Sequence, residues 1–506
     1  MLPENGGGEF VVEAPGEPKG AVLHLRRNCL SYLEVLAQSI SVIAPSTVPA
    51  AILGLVYASA GKGSWVSFLI GMLGLVLVSY NINQFARRSA SPGSLYSYIV
   101  TGLGPTIGVL SGWALLFGYM LTGMSTLCGF GIIAGVLLEQ VGVHAHILFL
   151  FAFGTVGASY IGYKDIQLSA KMMLAFEGAG LLAILILGVL IWEHKNYAID
   201  MTQLTFSGAT PGGILMGVVL VVFGFSGFES STSLGEEAKD PLRSIPRSVI
   251  QSVIVAGVVF IFMTYVVVLG FEGSSAALEK TEAPLNFLAN AIGWGYLGTV
   301  INVGILLSFF SCTLASINST ARIVFSMARH GLFYDALGAA HEKNETPYVA
   351  VGLAALITFL VPAGAYLYGF SPFDSQGYFG TLCSFGFLLV YMLISIAAPV
   401  YLKGIGRLSK TAVLFSALGA GFMIIPFLGV IGVPGSDLFP PPAFPNNVLL
   451  WLFVAYMGIG LIWLLLQRFR HPKMIPAMQN AINGVNLPLA NPPILQGGLA
   501  HDAARN

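Results

Sequence analysis

Twelve stretches of this sequence stay apolar for eighteen residues or longer, and nothing else limits its fold as strongly. Eighteen helical residues rise about 27 Å, close to the roughly 30 Å of a bilayer's hydrocarbon core. The runs fall near residues 33–59, 64–83, 106–137, 146–163, 168–192 and 212–235, then 249–271, 296–327, 347–368, 377–401, 411–432 and 447–467. Lipid offers the backbone no water, so each run must close its own hydrogen bonds, and runs of this length do so as helices. Composition agrees: 56% of the residues are hydrophobic and only 9% charged, against about 25% in a soluble domain. The expected fold is an all-α integral membrane protein with 12 transmembrane helices.

An even number of spans places both termini on one side of the membrane. Residues 1–25 are rich in Gly, Pro and Glu and carry no apolar core ahead of a small-residue cleavage site, so a cytoplasmic tail over 1–27 is expected rather than a signal peptide. Five prolines among residues 472–493 mark 471–506 as a second tail. With the N-terminus inside, twenty lysines and arginines, from Lys19, Arg26 and Arg27 to Arg505, fall on the inner face. The outer face keeps only Lys62, Lys195 and Lys280. That asymmetry follows the positive-inside bias and predicts a multi-pass protein of the cell membrane with both termini cytoplasmic.

Several function classes are disfavoured. Lys+Arg and Asp+Glu are equal at 23 each, which gives no hint of nucleic acid. Cys29, Cys128, Cys312 and Cys383 are far apart, without metal-ligand spacing, and all eight histidines lie in loops, tails or span ends. No nucleophile–base pair or metal cluster is therefore expected at depth, so neither an enzyme nor a cofactor is implied. A channel would need repeated carbonyl-lined loops or charged rings, and none is visible.

Two runs carry breaks. The first contains Ser41-Val42-Ile43-Ala44-Pro45-Ser46-Thr47-Val48-Pro49-Ala50, and each proline lacks an N–H and clashes with the carbonyl four residues earlier. The sixth contains Phe223-Gly224-Phe225-Ser226-Gly227-Phe228-Glu229, where two glycines permit unwinding and close approach of a ligand. Breaks at first and sixth position suit a transporter built from two repeated halves, with half-helix ends facing the substrate.

Three motifs in order then resemble the amino acid-polyamine-organocation (APC) superfamily. The sixth-run aromatic-glycine-aromatic-acid pattern continues through Glu236, Glu237, Lys239, Pro241, Pro246 and Arg247. Ser91-Pro92-Gly93-Ser94-Leu95-Tyr96-Ser97-Tyr98 is similar to the family's Pro-Gly-Gly-x-Tyr-x-Tyr loop. Ser319 to Leu332, then Thr346-Pro347-Tyr348, is similar to its segment ending in Ala-Arg-Asp-Gly. The resemblance implies a LeuT-type 5+5 inverted repeat: residues 28–192 form the first five-helix repeat, 193–401 the second, and 402–470 two accessory helices, 11 and 12.

It further implies secondary active transport of an amino acid by alternating access, coupled to protons. The substrate would lie against Ile43, Ala44, Pro45, Ser46 and Thr47 of the first span and Phe223, Gly224, Phe225, Ser226 and Gly227 of the sixth, with Phe223 as cover. Pro45 departs from the family's glycine-rich first break and donates no N–H, which leaves the N–H groups of Ala44, Ser46 and Thr47 and two hydroxyls. Some amine importers of the superfamily also have proline here, so a polyamine importer or exchanger stays open, as does, from another class, an amino-acid-sensing transceptor or a channel.

Glu229 and Glu177 lie deep in apolar runs. An ionised acid near the bilayer centre costs about 3 kcal/mol or more, so each should be paired, hydrated or protonated. Both are candidate proton-coupling groups, with a structural acid as the alternative. A sodium site would draw instead on backbone carbonyls and hydroxyls such as Ser308 or Ser311. At the inner end of the sixth run, Glu237 is a candidate gate partner for Arg322 or Arg329.

Overall fold

The computed structural model describes residues 21–22, 24–281 and 283–470, together with 475, 476, 478, 479 and 482. Most of both expected tails therefore lies outside the described residues. Seventeen helices are described: α1 (Tyr32–Ile43), α2 (Val48–Ala51), α3 (Leu53–Ala60), α4 (Ser64–Ala86), α5 (Ser94–Leu103), α6 (Pro105–Gln140), α7 (Ile147–Lys164), α8 (Ile166–His194) and α9 (Met201–Leu204). They continue with α10 (Pro211–Gly224), α11 (Pro241–Phe271), α12 (Pro284–Ala291), α13 (Gly295–Arg329), α14 (Tyr348–Tyr368), α15 (Pro372–Gly404), α16 (Lys410–Ile431) and α17 (Asn446–Arg470).

Among the described residues, ten helical stretches are long and apolar enough to cross a membrane, one of them the 34 residues from Leu53 to Ala86 that join α3 to α4. The first and sixth runs are helical but interrupted. Local chemistry marks the ends of many helices. Proline begins α6, α10, α11, α12 and α15, where its missing N–H is harmless. Asp165 caps α8 by accepting the Gln167 N–H at 2.7 Å, and Glu34 accepts the Ser31 N–H ahead of α1 at 2.7 Å.

Long helix α6 packs against α13 and α15 in the middle of the bundle, with little side chain between α6 and α15 at one point. A Cβ at Gly386 of α15 would stand 2.4 Å from the Ala114 carbonyl oxygen. Such glycines let backbones approach where lipid supplies no hydrophobic drive for helix association.

At the arginine-rich end, the chain ahead of α1 crosses the bundle. Ala21–Val22 pairs antiparallel with Ala340–His341, the one strand pair among the described residues. Cys29 and Leu30 donate N–H bonds to the Glu237 carbonyl at 2.9 Å, Lys239 donates to the Leu30 carbonyl at 3.0 Å, and Arg26 pairs with Asp165 at 3.0 Å.

At the opposite end, Lys62 reaches Asp200 at 3.2 Å and Glu272 at 3.5 Å. Burial opposes ionisation of Asp200, but hydrogen bonds from Thr202, Gln203 and Lys62 and the Lys62 charge hold its carboxyl down at about 2. That lies below the roughly 3.9 of an unfolded aspartate. The stabilisation is thus present above about pH 4 and is lost as pH falls through about 2. Asp200→Asn should lower the melting temperature at pH 7, and the gap from the natural protein should close between pH 4 and pH 2. A gap that persists there contradicts the assignment.

Candidate functional site

The two prolines of the first run act differently. Helix α1 stops at Ile43, and Ala44 turns left-handed (φ 49°, ψ 60°) while its N–H still bonds the Ile40 carbonyl at 2.9 Å. Pro45 follows and cannot continue the ladder. Thr47 folds back onto the Ala44 carbonyl with its N–H at 2.9 Å and its hydroxyl at 2.8 Å. Pro49 then sits in the first turn of α2, where it restarts the helix.

In the sixth run α10 ends at Gly224, and a 3-10 turn resumes at Ser230–Leu234. Between them Gly227 has φ +85°, and a Cβ there would stand 2.2 Å from Val42 Cγ1. Its missing side chain is what allows this close approach of the two broken runs. Ser230 donates its hydroxyl to the Gln38 carbonyl at 3.1 Å, and the Ser231 N–H bonds Ser39 Oγ at 3.0 Å. Gly227→Ala adds left-handed strain of about 1–2 kcal/mol to overpacking of about 1–3 kcal/mol. Its melting temperature should fall well below that of Gly178→Ala, a helical site with nothing within 4 Å, which should be neutral or slightly stabilising. Equal melting curves for the two variants would remove this account of the break.

Of the ten residues expected to line the site, nine are buried and Phe223 is half-buried. Phe225 points into the core, its ring 4.9 Å from that of Phe260 on α11. The Phe223 ring lies instead against α15 at Gly380. Ser226 donates to the Val222 carbonyl at 3.5 Å. A cavity of about 170 Å³ lies at the ends of α8 and α11, lined by Ile191, Lys195 and Glu272 among others. Its walls share no residue with the breaks.

Each break is tied to one buried carboxylate. Glu229, fully buried, accepts the Tyr119 hydroxyl at 2.7 Å on one oxygen and the Tyr391 hydroxyl on the other. Tyr391 in turn accepts the Gly227 N–H at 2.9 Å, so the acid is linked through a tyrosine to the left-handed glycine. Glu177 of α8 accepts Ser308 of α13 at 2.7 Å and makes a longer 3.5 Å contact with Ser46 of the first break. A Cβ at Gly180, close by on α8, would stand 3.0 Å from the Gly304 carbonyl oxygen, so α8 and α13 meet closely there. Ser311 bonds Ser41 at 2.9 Å, and Cys312 donates to the Val42 carbonyl at 3.2 Å.

Tyr119 and Tyr391 were not among the expected site residues. Their signal was present: a tyrosine inside an apolar run must find a partner for its hydroxyl, but sequence does not say which.

Glu237 and Arg322 form a two-pronged ion pair, both bonds 2.7 Å, with both side chains fully buried. A third Arg322 bond, 3.0 Å, goes to the Asn318 carbonyl. Arg329, the other candidate partner, is exposed.

Comparison with known proteins bears on this geometry. The family model for amino acid permeases matches residues 34–475. The chain is 25% identical over 366 residues to the branched-chain amino acid permease BcaP of Bacillus subtilis (strain 168), covering 68% of this chain and 75% of that one. It is 24% identical over 301 residues to the low-affinity putrescine importer PlaP of Escherichia coli (strain K12), covering 58% of this chain and 66% of that one. It is also 22% identical over 430 residues to the methylthioribose transporter of Bacillus subtilis (strain 168), covering 81% and 87%.

Proposed function

This chain belongs to the amino acid permease family of the APC superfamily, and from that premise we propose that it is a secondary active transporter of amino acids, working by alternating access and coupled to protons. The observation that carries the reading is the pair of broken helices held face to face, each tied to a buried carboxylate. With α1–α3 taken as the broken first run, α4 as the second and α10 with its break as the sixth, the chain crosses the cell membrane twelve times, as a five-plus-five inverted repeat with two accessory helices and both termini in the cytoplasm. The substrate binds between residues 43–47 and 223–227 under the Phe223 ring. Glu229 and Glu177 carry the coupling proton, and the Glu237–Arg322 pair closes the cytoplasmic end.

One observation favours an amine as the cargo. The N–H groups of Ala44, Thr47, Phe225, Ser226 and Gly227 are all engaged, with Ile40, Ala44, Val222, Phe223 and Tyr391 respectively. An N–H serves one strong bond, whereas a carbonyl oxygen has a second lone pair for an incoming ammonium group. The Ala44 and Val222 carbonyls already accept two bonds each, so a cationic amine would turn to the Phe223 carbonyl, which among the described residues accepts one well-formed bond, from the Ser226 N–H, whereas a carboxylate must first displace existing bonds at these five N–H groups.

Purified protein in liposomes decides between the two. Labelled leucine, alanine and putrescine are offered with and without an inward proton gradient. Saturable accumulation of an amino acid that collapses with the gradient is the expected result. Accumulation of putrescine alone moves the reading to an amine importer, and uptake that never exceeds equilibrium removes coupled transport.

A further inference from the structure

The cover residue rests on a glycine. Gly380 lies inside α15 with ordinary helical backbone, so no positive φ demands glycine there. In the interior of a helix glycine costs about 1 kcal/mol relative to alanine, so some contact must account for it. A Cβ on Gly380 would stand 2.8 Å from Phe223 Cζ and 3.4 Å from Cε2, with Ser125 Oγ of α6 at 3.5 Å. Gly377, one turn earlier on the same helix, has nothing within 4 Å. The tip of the half-buried Phe223 ring therefore occupies the notch left by the missing side chain, between α15 and the broken sixth run.

We propose that Gly380 is the seat of the Phe223 cover and so a specificity-determining position: it sets how far the ring withdraws from the space between the breaks. The inference deepens the transport reading and rests on it. A methyl group at 380 meets only the far end of a ring, which a small side-chain rotation can move. The fold is kept, and the ring is displaced from α15 toward the breaks. Substrates with larger side chains lose more affinity than small ones. Leucine has no ring tip to displace, so a shorter residue at 223 makes the methyl group at 380 inconsequential.

The test is a double-mutant cycle in liposomes, with Gly380→Ala, Phe223→Leu and both together. It reads the apparent affinity for labelled leucine, alanine and putrescine, with melting temperatures alongside. Gly380→Ala is expected to weaken the bulkiest transported probe about tenfold, the equivalent of about 1.4 kcal/mol, with less loss for a smaller probe. Phe223→Leu weakens binding by itself, and adding Gly380→Ala to it costs nothing more. Unchanged affinity in Gly380→Ala overturns the seat, as does an equal further loss in the double variant. So does a large drop in the melting temperature of Gly380→Ala, because more than a ring tip would then have yielded. If the natural protein accumulates none of the three probes, the transport reading fails and the seat fails with it; transport with additive losses removes the seat alone.

Discussion

Replacing Arg322 by methionine should cost about 3–5 kcal/mol of stability, the usual penalty for leaving a buried charge without its partner. Glu237 is fully buried, and both its carboxylate oxygens bond to the guanidinium at 2.7 Å. Glu237→Leu should be comparably damaging from the other side, leaving Arg322 with only the Asn318 carbonyl. Combining the two substitutions removes both charges, and most of the stability should return, since an apolar pair of similar volume often equals a buried ion pair. Melting curves in detergent check the series, and an unshifted melt for Arg322→Met would sink it.

Uptake by the stable double variant then separates two roles. Stability regained with transport still lost assigns the pair a place in the cycle. If both return together, the pair is a packing element. The position makes the cycle role physically reasonable, because the Glu237 backbone carbonyl also anchors Cys29 and Leu30 from the chain ahead of α1. If this end opens during transport, that strap and the ion pair must part together.

The second large effect is expected at Glu229. In Glu229→Gln, the amide nitrogen brings hydrogens to a position that now accepts a tyrosine hydroxyl. Tyr391 already accepts the Gly227 N–H, so its own proton has little freedom to turn. One donor is left unpaired in a dry site, at a cost of about 1–3 kcal/mol. If Glu229 carries the coupling proton, the variant also loses accumulation driven by a pH gradient while still exchanging labelled for unlabelled substrate. Tyr391→Phe is the companion measurement: it leaves the Gly227 N–H unsatisfied and lowers the melting temperature, but gradient-driven uptake should survive, though slower. Gradient-driven uptake that persists in Glu229→Gln would falsify the proton role and leave the carboxylate as a structural tie between α6, α15 and the sixth run.

How far the sequence alone reaches can be judged at particular residues. Unbroken spans such as α6 and α13 were legible because a run of apolar residues with no water to bond must be helical. The break at Pro45 was legible because a missing N–H and a steric clash are properties of one residue and its near neighbours. That Pro49 restarts a helix while Pro45 stops one was not legible, since both are mid-run prolines and only the surrounding backbone separates them. Phe223 was expected to cover the site, but where the two phenylalanine rings pack was not legible: that of Phe223 lies on α15 and that of Phe225 meets Phe260 of α11 edge-on.

By itself, then, the sequence determined that this is a membrane permease of helices, where two of them are interrupted, and which acids are buried at depth. Those properties follow from local backbone chemistry and the cost of charge in lipid. Tertiary structure decided the partners. Tyr119 lies 110 residues from Glu229 and Tyr391 lies 162, Ser308 is 131 from Glu177, and Arg322 rather than Arg329 answers Glu237 across 85 residues. Burial obliges each of these polar groups to find a partner. Which partner it finds depends on how helices distant in sequence pack and turn against one another, and no local pattern encodes that.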